Sequence, residues 1–149
     1  MYDTDALSSY GEVVSNPKDA DVIVKRLRTP FDERTDSFIE KFFHQGRLYY
    51  NEEEMKDIMS VISKKPSVVI VNLERPAILK EINDASSALM VEFGAEDEVV
   101  ADLLFGEKQP MGKMPFDLPS TWEAVLNQKE DVPFDTKDPL YSFGDGLQY

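Results

Sequence analysis

The 149 residues are 42% hydrophobic and 30% charged, enough apolar content to bury one core and too much for a disordered chain. A formal charge of −13 excludes partners that are held by lysine and arginine, nucleic acid and anionic membrane surfaces alike. The lack of cysteine removes disulfides, thiolate metal sites and cysteine nucleophiles in one step.

The opening residues MYDTDALSSY lack a basic-then-apolar leader pattern, and no apolar run approaches the ~18 residues that span a bilayer. The chain is therefore expected to be soluble, with its location left open. In chain order, Val13–Val14 reads as a short strand at a sheet edge, and Asp21 to Leu27 (DVIVKRL) as the first full strand. Asn51 is suited to cap a helix, with Glu54 three residues on to complete a capping box. Met55, Ile58, Met59 and Ile62 then share one helical face. Ser67 to Leu73 (SVVIVNL) is a second strand, and its continuous VVIV run suits a parallel strand covered on both faces. Pro76 reads as a first helical residue, followed by the apolar face Ile78, Leu79 and Ile82. Ala88 to Phe93 is a third strand, with Gly94 in the turn after it. Glu96, Asp97 and Glu98 fit the positive end of a third helix that buries Val99, Val100, Leu103 and Leu104 and stops at Gly106.

From Glu107 the pattern changes. Five of the nine prolines lie between Pro110 and Pro139, so this third is expected to be extended, wrapping chain with one helix around Trp122 to Leu126. Alternating strands and helices place the chain in the α/β class, as a mostly parallel three-layer α/β/α sandwich of the flavodoxin-like kind, read as one domain over residues 1–149. No Gly-rich phosphate loop follows any strand, which sets a nucleotide-binding role aside.

Three segments carry a resemblance. VVIVNLERPAIL (Val68 to Leu79) resembles a valine-rich strand that ends in a Gly-Pro or Arg-Pro turn. DLLFGEKQPMGKMPFDLP (Asp102 to Pro119) resembles an LFG…P-x-G-K-x-P signature, and PLYSFGDGLQY (Pro139 to Tyr149) a closing P-x-x-x-F-G-x-G-L-x-Y. In this order and spacing they are similar to the C-terminal α/β domain of family 3 glycoside hydrolases. Physical chemistry assigns the same residues structural work, with Gly106 and Gly112 expected at positive φ and the prolines holding chain extended.

The resemblance implies a β-glucosidase-like or exo-glucanase-like parent in which a TIM barrel supplies an aspartate nucleophile and most sugar contacts, while this domain covers the barrel's mouth. The barrel is absent from these residues, and so is a strand–helix unit that opens the family's domain before Asp21. Such chemistry requires two carboxyls about 5 Å apart, so this chain is expected to be inactive alone. By the same resemblance, the loop Pro30-Phe31-Asp32-Glu33 after the first strand matches a proline–aromatic–x–Glu loop that carries the acid/base, which places Glu33 there. Asp32 and Asp36 are the alternatives. Arg28, Asp32, Arg34 and His44 are candidate sugar-binding residues, with Arg47 beside them, and salt bridges within the fold are the competing role for the arginines. His44 is the single histidine, a sugar contact or a residue meeting a backbone carbonyl. No metal-ligand spacing surrounds it, and no cofactor is implied. Tyr49, Tyr50, Phe116 and Trp122 either stack on sugar rings or pack in the fold. Two readings of the whole remain. One is a piece of a hydrolase whose exposed docking face would promote self-association. The other is a stand-alone, non-catalytic α/β module that binds a carbohydrate or protein partner.

Overall fold

In the computed structural model, which describes residues 4–34, 36 and 38–147, the short apolar runs form three strands: β1 (Ile23–Arg28), β2 (Ser67–Asn72) and β3 (Ala88–Glu92). Met1–Asp3 and the last two residues of the closing motif, Gln148 and Tyr149, lie outside the described residues. The strands form one open sheet, all parallel, in the order β1-β2-β3. Lys25, Val69 and Leu89 lie in one row across the sheet, and Leu27, Val71 and Val91 in the row two residues on. The two-residue period of a strand therefore gives one face to Leu27, Val69, Val71, Leu89 and Val91.

That face is covered by α2 (Glu52–Ile62) and α3 (Lys80–Ala85), with Ile58, Ile62, Leu79 and Ile82 joining the strand residues in one core. The other face carries Arg26, Ile70 and Met90 in one row and Arg28, Asn72 and Glu92 in the next. Ile70 there is fully buried, as are Val100 and Ala101 of α4 (Asp97–Leu104). Arg26 reaches from the sheet to Asp97 in the first turn of α4 and fixes the helix over this face. A short helix, α1 (Thr4–Ser8), packs on α4, and Tyr10 beyond it stacks on Phe105 with ring centroids 4.5 Å apart.

The expected helix starts are met at α2, where the Asn51 side chain accepts from the Glu54 amide at 2.9 Å and Glu54 accepts from the Asn51 amide at 2.8 Å. Four local expectations are corrected. Val13–Val14 is not a strand, and Val13 is exposed. Helix α3 begins at Lys80, not Pro76, because the Ile78 amide is drawn away to the Leu48 carbonyl at 2.7 Å. In α4 the buried residues are Val100 and Ala101, whereas Val99 faces out. Gly106 does end α4 at φ +80, but Gly112 has no positive φ. Its carbonyl is instead approached by Gly146, where a Cβ would lie 2.5 Å away.

Residues 107–147 form no strand, only α5 (Trp122–Leu126) and a single antiparallel bridge between Leu118 and Tyr141. The bridge has amide–carbonyl distances of 2.7 and 2.8 Å, and the Tyr141 hydroxyl donates to Asn83 at 2.6 Å. Buried Met114 and Leu118 join this segment to the core shared with α2 and α3. Among the described residues no helix is long and apolar enough to cross a membrane.

Candidate functional site

All three strands end at the same edge of the sheet, where the loops that follow them converge; in parallel α/β sheets this is the edge that receives ligands. Thr29, the first residue after β1, is buried and fastens the loop at its root. Its hydroxyl donates to the Asn72 carbonyl at 2.8 Å and accepts from the Glu74 amide at 3.0 Å. Beyond it, Asp32 pairs its amide with the Gln45 carbonyl at 2.8 Å in an isolated antiparallel bridge. The segments 29–33 and 45–50 thus form the two sides of a cleft of about 430 Å³, lined by Arg28, Phe31, Asp32, Glu33, Arg47, Tyr50 and Glu54 among others.

Three carboxylates line this cleft, and two are committed. Asp32 accepts from the Arg47 amide at 2.9 Å and from Arg47 Nε at 3.1 Å. Glu54 accepts both terminal nitrogens of Arg47 while serving in the capping box of α2. The guanidinium holds the Glu54 carboxyl below its ordinary range despite partial burial, and Glu54 in turn raises the pKa of Arg47. Glu33 is different. It is exposed at the cleft and makes no hydrogen bond or ion pair with any described residue.

The other candidates divide in the same way. Asp36 is bound by Arg34, which holds its carboxyl low, and Arg34 also reaches Glu40. The His44 ring meets the Glu74 carboxylate through Nδ1, rather than a backbone carbonyl, and stacks on Phe31 with centroids 3.9 Å apart. Arg28 keeps an exposed guanidinium without an ion pair among the described residues, while its carbonyl accepts the Tyr50 hydroxyl at 2.7 Å. Burial raises the pKa of that hydroxyl, with Glu54 adding to the effect. Of the remaining aromatics, Phe116 packs against the core, and Tyr49 and Trp122 meet edge-on at 5.6 Å, both partly exposed. The cleft therefore presents two charged side chains without an ion pair or side-chain hydrogen bond among the described residues, Glu33 and Arg28.

One residue at this edge was read from the sequence only as part of a turn. Arg75, in the turn after β2, donates to the carbonyls of Pro30, Gln45 and Arg47 at 2.8, 3.0 and 2.7 Å and to that of Gly46 at 3.2 Å. Acceptors on the backbone leave no residue pattern to read. Only the Arg-Pro step that follows the strand pointed to this turn.

The comparisons with known proteins bear on this geometry. The family model for the glycosyl hydrolase family 3 C-terminal domain matches residues 6–149. The probable β-glucosidase C of Aspergillus flavus is 39% identical over 137 residues, which covers 92% of this chain and 22% of that protein. The periplasmic β-glucosidase/β-xylosidase of Dickeya chrysanthemi is 36% identical over 143 residues, 92% of this chain and 21% of that protein. The chain thus spans 21–22% of the length of these relatives. Among solved structures, a Listeria innocua β-glucosidase in complex with isofagomine superposes with a TM-score of 0.63 at 25% identity, over 89% of this chain and 21% of that one. Thermotoga neapolitana β-glucosidase 3B in complex with glucose has a TM-score of 0.65 at 20% identity, over 89% of this chain and 22% of that one, and shares the fold.

Proposed function

Because the chain belongs to the glycosyl hydrolase family 3 C-terminal domains, we propose that it forms one side of a β-glucosidase-like active site and supplies the proton donor, Glu33. The observation that carries this reading is the division of the cleft carboxylates: Asp32 and Glu54 are tied to Arg47, and Glu33 is not. An acid/base residue must reach the leaving oxygen, and the carboxylate oxygens of Asp32 and Glu54 are already engaged by Arg47.

In this reading the nucleophile comes from a separate barrel domain, and the chain spans only 21–22% of relatives that are named as β-glucosidases. The nucleophilic carboxylate attacks the anomeric carbon, and the bond to the leaving oxygen breaks as Glu33 gives that oxygen its proton. Glu33, now a carboxylate, then takes a proton from water as the water displaces the enzyme carboxylate from the sugar. Arg28 is free to donate hydrogen bonds to sugar hydroxyls. Asp32, Arg34 and His44 shape the loop through their own partners. Phe38, Ile39, Phe42 and Phe43, all strongly exposed just beyond Glu33, form the apolar surface that the barrel domain covers.

The test is hydrolysis of β-glycosides by the chain alone and by the chain mixed with the remainder of a matched β-glucosidase. Alone, the chain is expected to be silent, because one carboxyl cannot perform the double displacement. In the mixture, Glu33→Gln is expected to lower kcat/KM on alkyl glycosides by roughly 10²–10⁴-fold. It should spare 2,4-dinitrophenyl glycosides, whose leaving group needs no proton. Hydrolysis by the chain alone, or equal losses on both substrates, would overturn the assignment. Association without activity would favour a non-catalytic module.

A further inference from the structure

The Glu33 side chain makes no hydrogen bond or ion pair with any described residue, so its position must be set by the backbone that carries it. Two segments make up that backbone, and they are joined in sequence only through the long stretch between Glu33 and His44. Their carbonyls at Pro30 on one side and Gln45, Gly46 and Arg47 on the other turn toward a single point. The Arg75 guanidinium occupies that point, with Nη2 donating at 2.8, 3.0 and 2.7 Å to Pro30, Gln45 and Arg47 and Nη1 at 3.2 Å to Gly46. Its Nε is enclosed without a partner. The side chain sits in the turn directly after β2, one residue from Glu74, whose amide is fixed by Thr29.

We infer that Arg75 is the positioning residue of the candidate active site, holding the two sides of the cleft in the register that aims Glu33 at the leaving oxygen. This rests on the reading of Glu33 as proton donor. Three of the Arg75 bonds converge on Nη2 and the fourth leaves Nη1, and a guanidinium, planar and more weakly hydrated than an ammonium, suits a position enclosed by carbonyls from both sides. Burial lowers the pKa of Arg75, and the facing carboxylates Asp32 and Glu74 oppose that shift. The cation is thus held by backbone dipoles more than by ion pairs. Arg47 braces the same loop from the other direction through Asp32 and Glu54, but its donors reach side chains and the single Tyr49 carbonyl. Arg75 alone of these two arginines bonds to the backbone on both sides of the cleft.

The experiment compares Arg75→Lys and Arg75→Met with the wild-type chain, each assembled with the nucleophile-bearing remainder of a matched β-glucosidase, and reads kcat/KM on an alkyl glycoside and on a 2,4-dinitrophenyl glycoside. A displaced proton donor should lower kcat/KM on the alkyl glycoside on the order of 10²-fold, the cost of misplacing a reacting group by about 1 Å. The dinitrophenyl substrate should change by less than about 3-fold, since its glycosylation bypasses general acid catalysis. Arg75→Lys keeps the charge and one donor group, and so covers the case in which Arg75→Met fails to fold. An equal loss on both substrates, or no loss on either, overturns the inference when Glu33→Gln shows the leaving-group dependence in parallel. If Glu33→Gln lacks that dependence, the proton-donor reading falls and the inference falls with it.

Discussion

Gly46 lies where the chain passes directly under the Asp32 carboxylate, at φ +79, and a Cβ there would come 2.0 Å from Asp32 Oδ2. Alanine would meet both a disfavoured backbone conformation and a collision that pushes Asp32 off Arg47. Gly46→Ala is expected to cost roughly 1–3 kcal/mol in urea denaturation. A stability equal to wild type would show that the loop is looser than its hydrogen bonds suggest. The residue scale is also where the sequence was least legible. Glu33, Asp32 and Asp36 are three acids in five positions, and nothing in their order distinguishes them. Their partners do so: Arg47, 15 residues on, for Asp32, the neighbouring Arg34 for Asp36, and none among the described residues for Glu33. His44 was similarly open until Glu74 and Phe31 appeared beside it.

At the scale of elements, one ion network joins a strand, its second neighbour and a helix. Arg26 of β1 reaches past β2 to Glu92 of β3 at 2.6 Å, and also binds Asp97 of α4. Glu92 is buried, which opposes its charge, yet Arg26 and the amides of Gly94 and Ala95 outweigh burial and hold its carboxyl below the ordinary value of 4.5. A folded-state pKa below the unfolded one means that the unfolded chain takes up the proton first as pH falls. Glu92 therefore contributes stability that is complete above about pH 4.5 and is lost as pH falls through the depressed pKa. Glu92→Gln should lower stability at pH 7 and flatten the decline below pH ~5, read from denaturation midpoints across pH. Glu54, also depressed, leaves part of the slope in place, and an unchanged slope would remove Glu92 from the account. Of the three strands β2 was the most legible, because its Val-Val-Ile-Val run reports burial on both faces directly. Helix starts were legible where a side chain makes the cap, as at Asn51, or where acids gather in the first turn, as at Asp97 and Glu98. At Pro76 the apparent start failed because a tertiary hydrogen bond to Leu48 holds the next residues extended, and α1, at five residues, is too short to show a period.

For the molecule as a whole, two features stand exposed. Phe38, Ile39, Phe42 and Phe43 are 63–77% exposed within six residues, beside the cleft. Among the described residues β1 and β3 are both edge strands, each with one side of its backbone unpaired by any other strand. The isolated chain is therefore expected to self-associate at micromolar concentration, and Phe38→Ser with Phe42→Ser to reduce this in sedimentation velocity. A monomeric wild-type chain would count against the covered-surface reading. At this scale the fold class and the family were legible, because the strand–helix alternation and three spaced motifs lie within these residues. The irregular course of residues 107–147 was not, since bridges such as Leu118–Tyr141 join residues that no periodicity relates.

The pinning of the Glu33 loop by Arg75 also sets an order of events at synthesis. Glu33 leaves the ribosome 42 residues ahead of its anchor, counted along the chain from position 33 to position 75. At ~5–20 residues per second, the loop is without that anchor for roughly 2–8 s after Glu33 is made. Nascent chains arrested before Arg75 should thus expose the segment 30–47 to protease, and chains arrested once β2 and its turn have emerged should protect it.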